Sequence, residues 1–303
     1  MRVLLLDVDS KLPNLALAKI AIWHRAQDDE VTRDTMHFYS ADRIYGSCLL
    51  SRNRPARSLR RYRNPDQLSV EDYNSLRRDI TWGGTGYDPK VKLPPEVERL
   101  KARINYGFTT RGCIRRCPWC LVPESEGKIR YEGDIYDLWD GRSDSVTLLD
   151  NNILALNGHW QSIFAQLERE NLKVDFNQGL DIRLIDGRTV AALKRLRMRR
   201  LRLAFDEPEL EHIIRAKVPL LQTVKRDLFF YVLVGFNTTV DEDIHRLNVL
   251  RDLGCRAYVM RHDNTPRERV YMRMAQWANQ VWTFRKYTFG EFLKIREGQN
   301  DGD

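Results

Sequence analysis

The chain has 303 residues, 42% apolar and 30% charged, a balance that excludes a disordered, collagen-like or coiled-coil protein. Lys+Arg 50 against Asp+Glu 42 leave a net charge of +8, and 38 of the 50 cations are arginine, the better bidentate partner for phosphate and carboxylate. Five cysteines, three of them inside eight residues, exclude a secreted disulfide scaffold in a chain this long and point to a metal site in a reducing compartment.

In chain order, Arg2 to Val8 is an apolar run ending in Asp7-Val8-Asp9 and predicts a buried strand. Leu15, Ala18, Ile22 and Ala26 follow at helical spacing. Residues 42–48 suggest a second short strand. Residues 51–63 carry arginines at 52, 54, 57, 60, 61 and 63 with little apolar periodicity, which predicts a loop or solvated face. Thr81-Trp82-Gly83-Gly84-Thr85-Gly86 predicts a glycine turn, and residues 92–95 a linker stiffened by Pro94-Pro95. The opening apolar run is too short for a signal peptide. No stretch approaches the roughly 18–20 apolar residues of a spanning helix. A cytoplasmic protein with no membrane partner is expected.

From residue 104 strands and helices alternate. The expected strands are 104–109, 145–149, 173–177, 200–205, 229–234 and 256–260. Trp160, Ile163, Phe164 and Leu167 mark one apolar helix face; Ile244, Leu247, Leu250 and Leu253 mark another. Thr239-Val240-Asp241-Glu242 has capping-box spacing, and Gly254 is a stop signal. Six such units imply a parallel sheet with right-handed crossovers, short of an eight-fold barrel, so an open partial barrel is expected. In such folds the chemistry sits at the carboxyl ends of the strands. The aromatic stretch 270–292 predicts helices packed on the core. The expected domains are a small Rossmann-like α/β unit over 1–95, the partial barrel over 96–265 and a helical extension over 266–303.

The strongest chemical signal is Cys113-Ile114-Arg115-Arg116-Cys117-Pro118-Trp119-Cys120, directly after the first barrel strand. Structural zinc wants four ligands, and here the nearest histidine is His159 while Cys48 and Cys255 lie far off in sequence. Three thiolates on a 4Fe–4S cluster would leave one iron open to a small molecule. The other readings are a zinc site completed by a distant histidine and an electron-carrying cluster. Cys48 and Cys255 read as small buried hydrophobes.

The C-x3-C-x2-C spacing, with Trp119 before the last cysteine, resembles the signature of the radical S-adenosylmethionine (radical SAM) superfamily. The resemblance implies a 4Fe–4S cluster on Cys113, Cys117 and Cys120, with SAM chelating the open iron. It implies a one-electron reductant of flavodoxin or ferredoxin type. Reductive cleavage of SAM would give methionine and a 5′-deoxyadenosyl radical that takes a hydrogen from the substrate.

The family's remaining contacts fall on strand ends. Asp150 and Asn151 correspond to the place that holds the SAM amino group, and suit a turn and helix cap equally. Asn177 and Gln178 suit ribose hydroxyls, and Arg183 a carboxylate. Asp206 is the second ribose candidate. Gly235 lies in the segment that packs on adenine, and Met260 offers backbone groups to it. The N-terminal unit resembles the cobalamin-binding domain of one subgroup but is short; it has no D-x-H-x-x-G run, which many members of that subgroup also lack, and it is read as a degenerate α/β domain for which cobalamin is not predicted. A methylthiotransferase would need a cysteine triad there, and only Cys48 is present. The run Lys194 to Arg202 reads mostly as solvated exterior, whereas Arg115 and Arg116 stand beside the cluster cysteines. An anionic substrate is expected, with nucleic acid as one class; an iron–sulfur electron carrier or nucleic-acid-binding protein without SAM chemistry is the alternative.

Overall fold

The computed structural model describes residues 1–10, 12–49, 68–262 and 268–298; the arginine run at 52–63 and the last five residues lie outside them. The chain forms two compact units, Met1–Gly107 with Tyr136–Gly141, and Phe108–Ile135 with Arg142–Asp303.

In the first unit, β1 (Arg2–Asp7) is followed by α1 (Leu15–Arg25), β2 (Glu30–Thr32) and β3 (Arg43–Ser47), then by α2 (Val70–Leu76) and β4 (Ile80–Gly83). The four strands form one parallel sheet in the order β2-β1-β3-β4. The unbroken apolar run of β1 is explained by burial on both faces. Leu4, Leu6 and Val8 pack with Ile44, Ile80 and Trp82, while Val3 and Leu5 pack with Leu17, Ile20 and Val97. The three-residue β2 carries too little pattern to be read from sequence.

Two expectations are corrected here. The glycine turn lies later than its motif, because Ile80–Gly83 is strand and the chain turns over Gly84 to Tyr87, whose N–H donates to the Gly84 carbonyl at 3.0 Å. Gly84 has φ +100°, and a Cβ there would stand 2.4 Å from the Cys48 carbonyl oxygen. The linker at 92–95 is instead built into the unit. Pro95 opens a single helical turn, α3 (Pro95–Glu98), whose Val97 is buried and whose Glu98 pairs with Lys19 Nζ at 3.0 Å.

The unit continues to β5 (Tyr106–Gly107), only two residues of the strand expected over 104–109. Asn105, at φ +61°, breaks the extended run before it.

In the second unit, β6 (Thr110–Arg111) pairs antiparallel with β7 (Arg130–Tyr131), and the hairpin's long loop carries the cysteines and a short helix, α4 (Val122–Ser125). Then follow β8 (Ser145–Leu148), α5 (His159–Arg169), β9 (Lys173–Phe176), α6 (Gly187–Arg195), β10 (Arg197–Met198), β11 (Leu201–Ala204), α7 (Glu211–Gln222), β12 (Leu228–Val234), α8 (Val240–Asp252) and β13 (Arg256–Arg261). β9 lies between β8 and β10, β12 lies between β11 and β13, and every one of these pairings is parallel. The Leu180 N–H donates to the Arg202 carbonyl at 2.8 Å, and Arg202 pairs with Asp175, which sets β11 beside the end of β9.

Side-chain alternation builds the core. Leu228, Phe230, Val232 and Val234 of β12 are all fully buried. Phe164 of α5 meets Phe176 of β9 with ring centroids 5.5 Å apart. Three helices end the described chain: α9 (Arg269–Ala278), α10 (Val281–Lys286) and α11 (Phe289–Gly298). Their aromatic residues pack as expected, with Trp277 and Phe284 buried 5.0 Å apart. Asn279 ties this layer to β13 by accepting from the Val259 N–H at 2.6 Å. Among the described residues no helix is long and apolar enough to cross a membrane.

Candidate functional site

The predicted site residues all belong to the second unit, and most close a strand. The cysteine loop is shaped first by Gly112, at φ +78°, where a Cβ would stand 2.3 Å from the Lys128 carbonyl oxygen. Glu126 then ties three parts together. Its carboxylate accepts from the Gly112 N–H at 2.8 Å and from Asn151 Nδ2 at 2.9 Å, and it pairs with Arg111 at 3.3 Å. The Cys120 N–H closes a turn on the Cys117 carbonyl at 3.0 Å.

All three cysteines are free and half-buried. They lie within electrostatic reach of one another. Burial pushes the Cys117 thiol up, with Glu207 adding to the effect and Arg183 opposing it. Burial likewise raises Cys120, against a backbone hydrogen bond from Val122. Among the described residues, no three His, Cys, Asp or Glu side chains converge as ligands of a single metal ion.

Asp150 and Asn151 are both engaged within the protein. Asp150 is buried and accepts from the Thr109 hydroxyl at 2.7 Å, the Thr110 hydroxyl at 2.6 Å and both backbone N–H groups. Thr109 and Thr110 thus spend on a carboxylate the donors that a longer strand would have used. Burial raises the Asp150 carboxyl, and these hydrogen bonds counter it. Asn151 is held by Glu126, as above.

The next residue, Asn152, was not singled out from sequence. It is 3% exposed; its Nδ2 donates to Asp181 Oδ2 at 3.1 Å and to Cys113 Sγ at 3.7 Å, and its Oδ1 is buried without a hydrogen-bond partner.

Asp181, also missed, is the hub. Arg183 reaches it at 2.7 Å through Nε and 3.2 Å through Nη2, and Arg115 reaches it at 3.1 Å. Burial alone would raise the Asp181 carboxyl, but Arg183 and then Arg115 hold it below the usual carboxylate range. The guanidinium expected to meet a ligand carboxylate therefore rests on Asp181, with Nη1 3.8 Å from Glu207. Asn177 is half-buried, its N–H donating to the Leu148 carbonyl at 2.9 Å, and Gln178 is exposed.

The far side of the strand ends is held by a buried ion pair. Arg246 and Asp243 of α8 are both 0% exposed and bonded to each other. Arg246 also donates to the carbonyls of Phe205 and Leu233, and Asp243 accepts from the Gly235 N–H at 2.8 Å. Asp206 accepts from the Leu233 N–H at 2.8 Å, and burial raises its carboxyl. The i, i+3 acid–base spacing of Asp243 and Arg246 was the available signal, but the apolar stripe beside it dominated.

Trp119 extends from the cysteine loop to Phe236, with ring centroids 5.8 Å apart, and Phe236 meets His262 at 4.9 Å. Met260 pairs in register with Leu233 and is half-exposed. The loop cysteines, Asn152, Asp181, Arg183, Asp206 and Phe236 thus gather where β8, β9, β11 and β12 end.

No family model matches the chain, and no curated relative matches it. Among solved structures, the fold is similar to that of TsrM, a radical S-adenosylmethionine methyltransferase from Kitasatospora setae, determined with its tryptophan substrate and the SAM analogue aza-SAM bound. The TM-score is 0.63 at 13% identity, over 85% of this chain and 72% of that one. At that identity the likeness is one of fold: a mixed α/β protein with parallel sheets, like a radical SAM enzyme.

Proposed function

We propose that the chain is a radical SAM enzyme whose parallel strands form an open six-unit barrel and whose Cys113, Cys117 and Cys120 hold a 4Fe–4S cluster. The observation that carries this reading is the set of three free, half-buried thiols on one loop at the carboxyl edge of such a fold. The donor set fits the group. Each thiolate of a cluster sits on its own iron, so the three need not converge on one ion. Thiols that burial keeps protonated lose their protons on binding, and the metal charge compensates.

When bound, cluster and SAM together supply one-electron cleavage of the sulfonium to methionine and a 5′-deoxyadenosyl radical that takes a hydrogen atom from the substrate. The chain's own residues bind and orient. Asp150 fixes Thr109 and Thr110 at the root of the loop, and Glu126 fixes its neck. With Asp150 and Asn151 engaged within the protein, the unpartnered Oδ1 of Asn152 is the acceptor offered to the SAM ammonium. Arg183 and Arg115, held by Asp181, give the carboxylate a positive wall. Asn177, Gln178 and Asp206 would be the contacts to the SAM ribose. Gly235, Met260 and the Trp119–Phe236 pair would meet its adenine.

Arg115, half-buried, and Arg116, exposed beside the thiols, suit an anionic substrate, with nucleic acid as one class. A flavodoxin- or ferredoxin-like protein in the cytoplasm would supply the electron. The test is anaerobic reconstitution with iron and sulfide, followed by dithionite and SAM. About four irons per chain and 5′-deoxyadenosine are expected. A loaded cluster without SAM cleavage would leave an electron carrier in place of the enzyme.

A further inference from the structure

Asn152 stands out in the second unit because three observations meet on one side chain. It is 97% buried by its 3% exposure, its two Nδ2 hydrogens have two acceptors of suitable kind, and its carbonyl oxygen has none. The amide orientation follows from those neighbours. Turned over, Oδ1 would face the ionised Asp181 carboxylate, which has no hydrogen to give, at 3.1 Å. The amide nitrogen therefore faces Asp181 and Cys113, one hydrogen for each.

Cys113 Sγ receives a second N–H, from the Arg115 backbone at 3.3 Å. Arg115 and Asn152 both also reach Asp181 Oδ2, each at 3.1 Å. Two residues thus bracket one sulfur and one carboxylate together. A rotation of Asn152 away from the sulfur costs its bond to Asp181 as well, so the donor is locked toward Cys113.

We infer that Asn152 is a positioning residue for Cys113 that raises the reduction potential of the cluster by donating a hydrogen bond to its sulfur. The inference rests on the cluster assignment above. Its physical basis is charge. Adding an electron makes a cluster more negative and its thiolate sulfurs richer in charge, so an N–H aimed at one of them stabilises the reduced state more than the oxidised one. Burial sharpens the effect, since little water competes for the sulfur. Neither the cysteine spacing nor the aromatic before the last cysteine encodes this. It depends on a loop after β8 presenting an amide to a loop 39 residues earlier.

The test is an EPR-monitored redox titration of the reconstituted chain without SAM, so that the readout is independent of turnover. Asn152→Leu removes both donors at similar volume. At a fixed poise its ratio of reduced to oxidised cluster should fall about tenfold, which for one electron corresponds to about 59 mV. Asn152→Ser, which keeps one smaller donor, should fall between Asn152→Leu and the unaltered chain. A variant that loads about four irons yet titrates within twofold of the unaltered chain overturns the inference.

Resonance Raman of the unaltered chain in light and heavy water covers the case in which the variants do not load. The iron–cysteine sulfur stretches should shift on exchange, and the absence of any shift overturns the inference without a variant. Failure of the underlying reading looks different: the unaltered chain itself would take up no cluster.

Discussion

Both units end parallel strands in buried polar groups, yet the two edges are built in opposite ways. In the first unit, Asp9 accepts from Cys48 Sγ at 3.2 Å and from the Leu49 N–H at 2.7 Å. Asn14 donates to Ser47 at 2.8 Å while its Oδ1 caps α1 at the Leu17 N–H. Apart from one oxygen of Asp7, the polar groups just named satisfy one another. In the second unit the edge carries three free thiols and an unpartnered amide oxygen. A polar strand end is therefore not in itself a site. What marks one is hydrogen-bonding and ligating capacity left unspent after the local loops are built.

The sharpest way to test the open edge is to remove its thiols, with the buried Cys255 just before β13 of the same unit as the control. Cys113→Ala, Cys117→Ala or Cys120→Ala should each abolish cluster iron and 5′-deoxyadenosine formation. Cys255→Ala should leave both intact, because burial pushes that thiol up to about 12 and holds it inert. Iron and sulfide assays on the four variants decide it. Equal loss from Cys255→Ala would collapse the distinction.

Next in size is the clamp behind the second edge. Arg246→Met leaves the Asp243 carboxylate buried without its partner and the Phe205 and Leu233 carbonyls short of a donor. Breaking a fully buried pair from one side costs about 3–5 kcal/mol. The midpoint of urea unfolding should move accordingly, and a loss under about 1 kcal/mol would mean that the pair does not hold these strand ends.

The unspent oxygen of the first edge gives a smaller, pH-dependent effect. Burial pushes the Asp7 carboxyl up to about 6, with Asp9 adding and Arg33 opposing. The folded chain therefore holds this proton more tightly than the unfolded one. Stability falls as pH rises from near 4 through about 6, and the stabilisation is fully present only below that window. Asp7→Asn removes the titration, so it should be the more stable form at pH 7 by about 3 kcal/mol and lose that advantage by pH 4. Parallel unfolding curves across that range would show that Asp7 is not strained by burial.

Much of this was legible in sequence because local chemistry decided it. The Thr239 capping box and the Gly254 stop are both observed around α8, and the cysteine motif named its loop. What the sequence does not show is which side chains are already engaged by another. Asp150 suits a helix cap and a SAM ammonium equally in sequence; in the fold its carboxylate accepts from two threonines 40 and 41 residues earlier. Arg183 suits a carboxylate in sequence; in the fold its Nε and Nη2 donate to Asp181, two residues away. Asn152 and Asp181 carry no periodicity of their own; only the folded loops show which atoms are left over. Arg246 was hidden because a cation beside an apolar helix stripe normally faces water.

The smallest effect tests whether the first edge is closed on itself. Cys48 is 2% exposed and gives its S–H to Asp9, so Cys48→Ala removes one weak donor and a buried sulfur. A lost hydrogen bond of this kind and the small void beside it cost about 1 kcal/mol. Cys48→Ser restores a donor of similar size and should recover most of that loss. Iron content should be the same in both variants as in the unaltered chain. A cluster that depended on Cys48 would require the two edges to share a function, and the contrast between a closed edge and an open one would then fail at its simplest point.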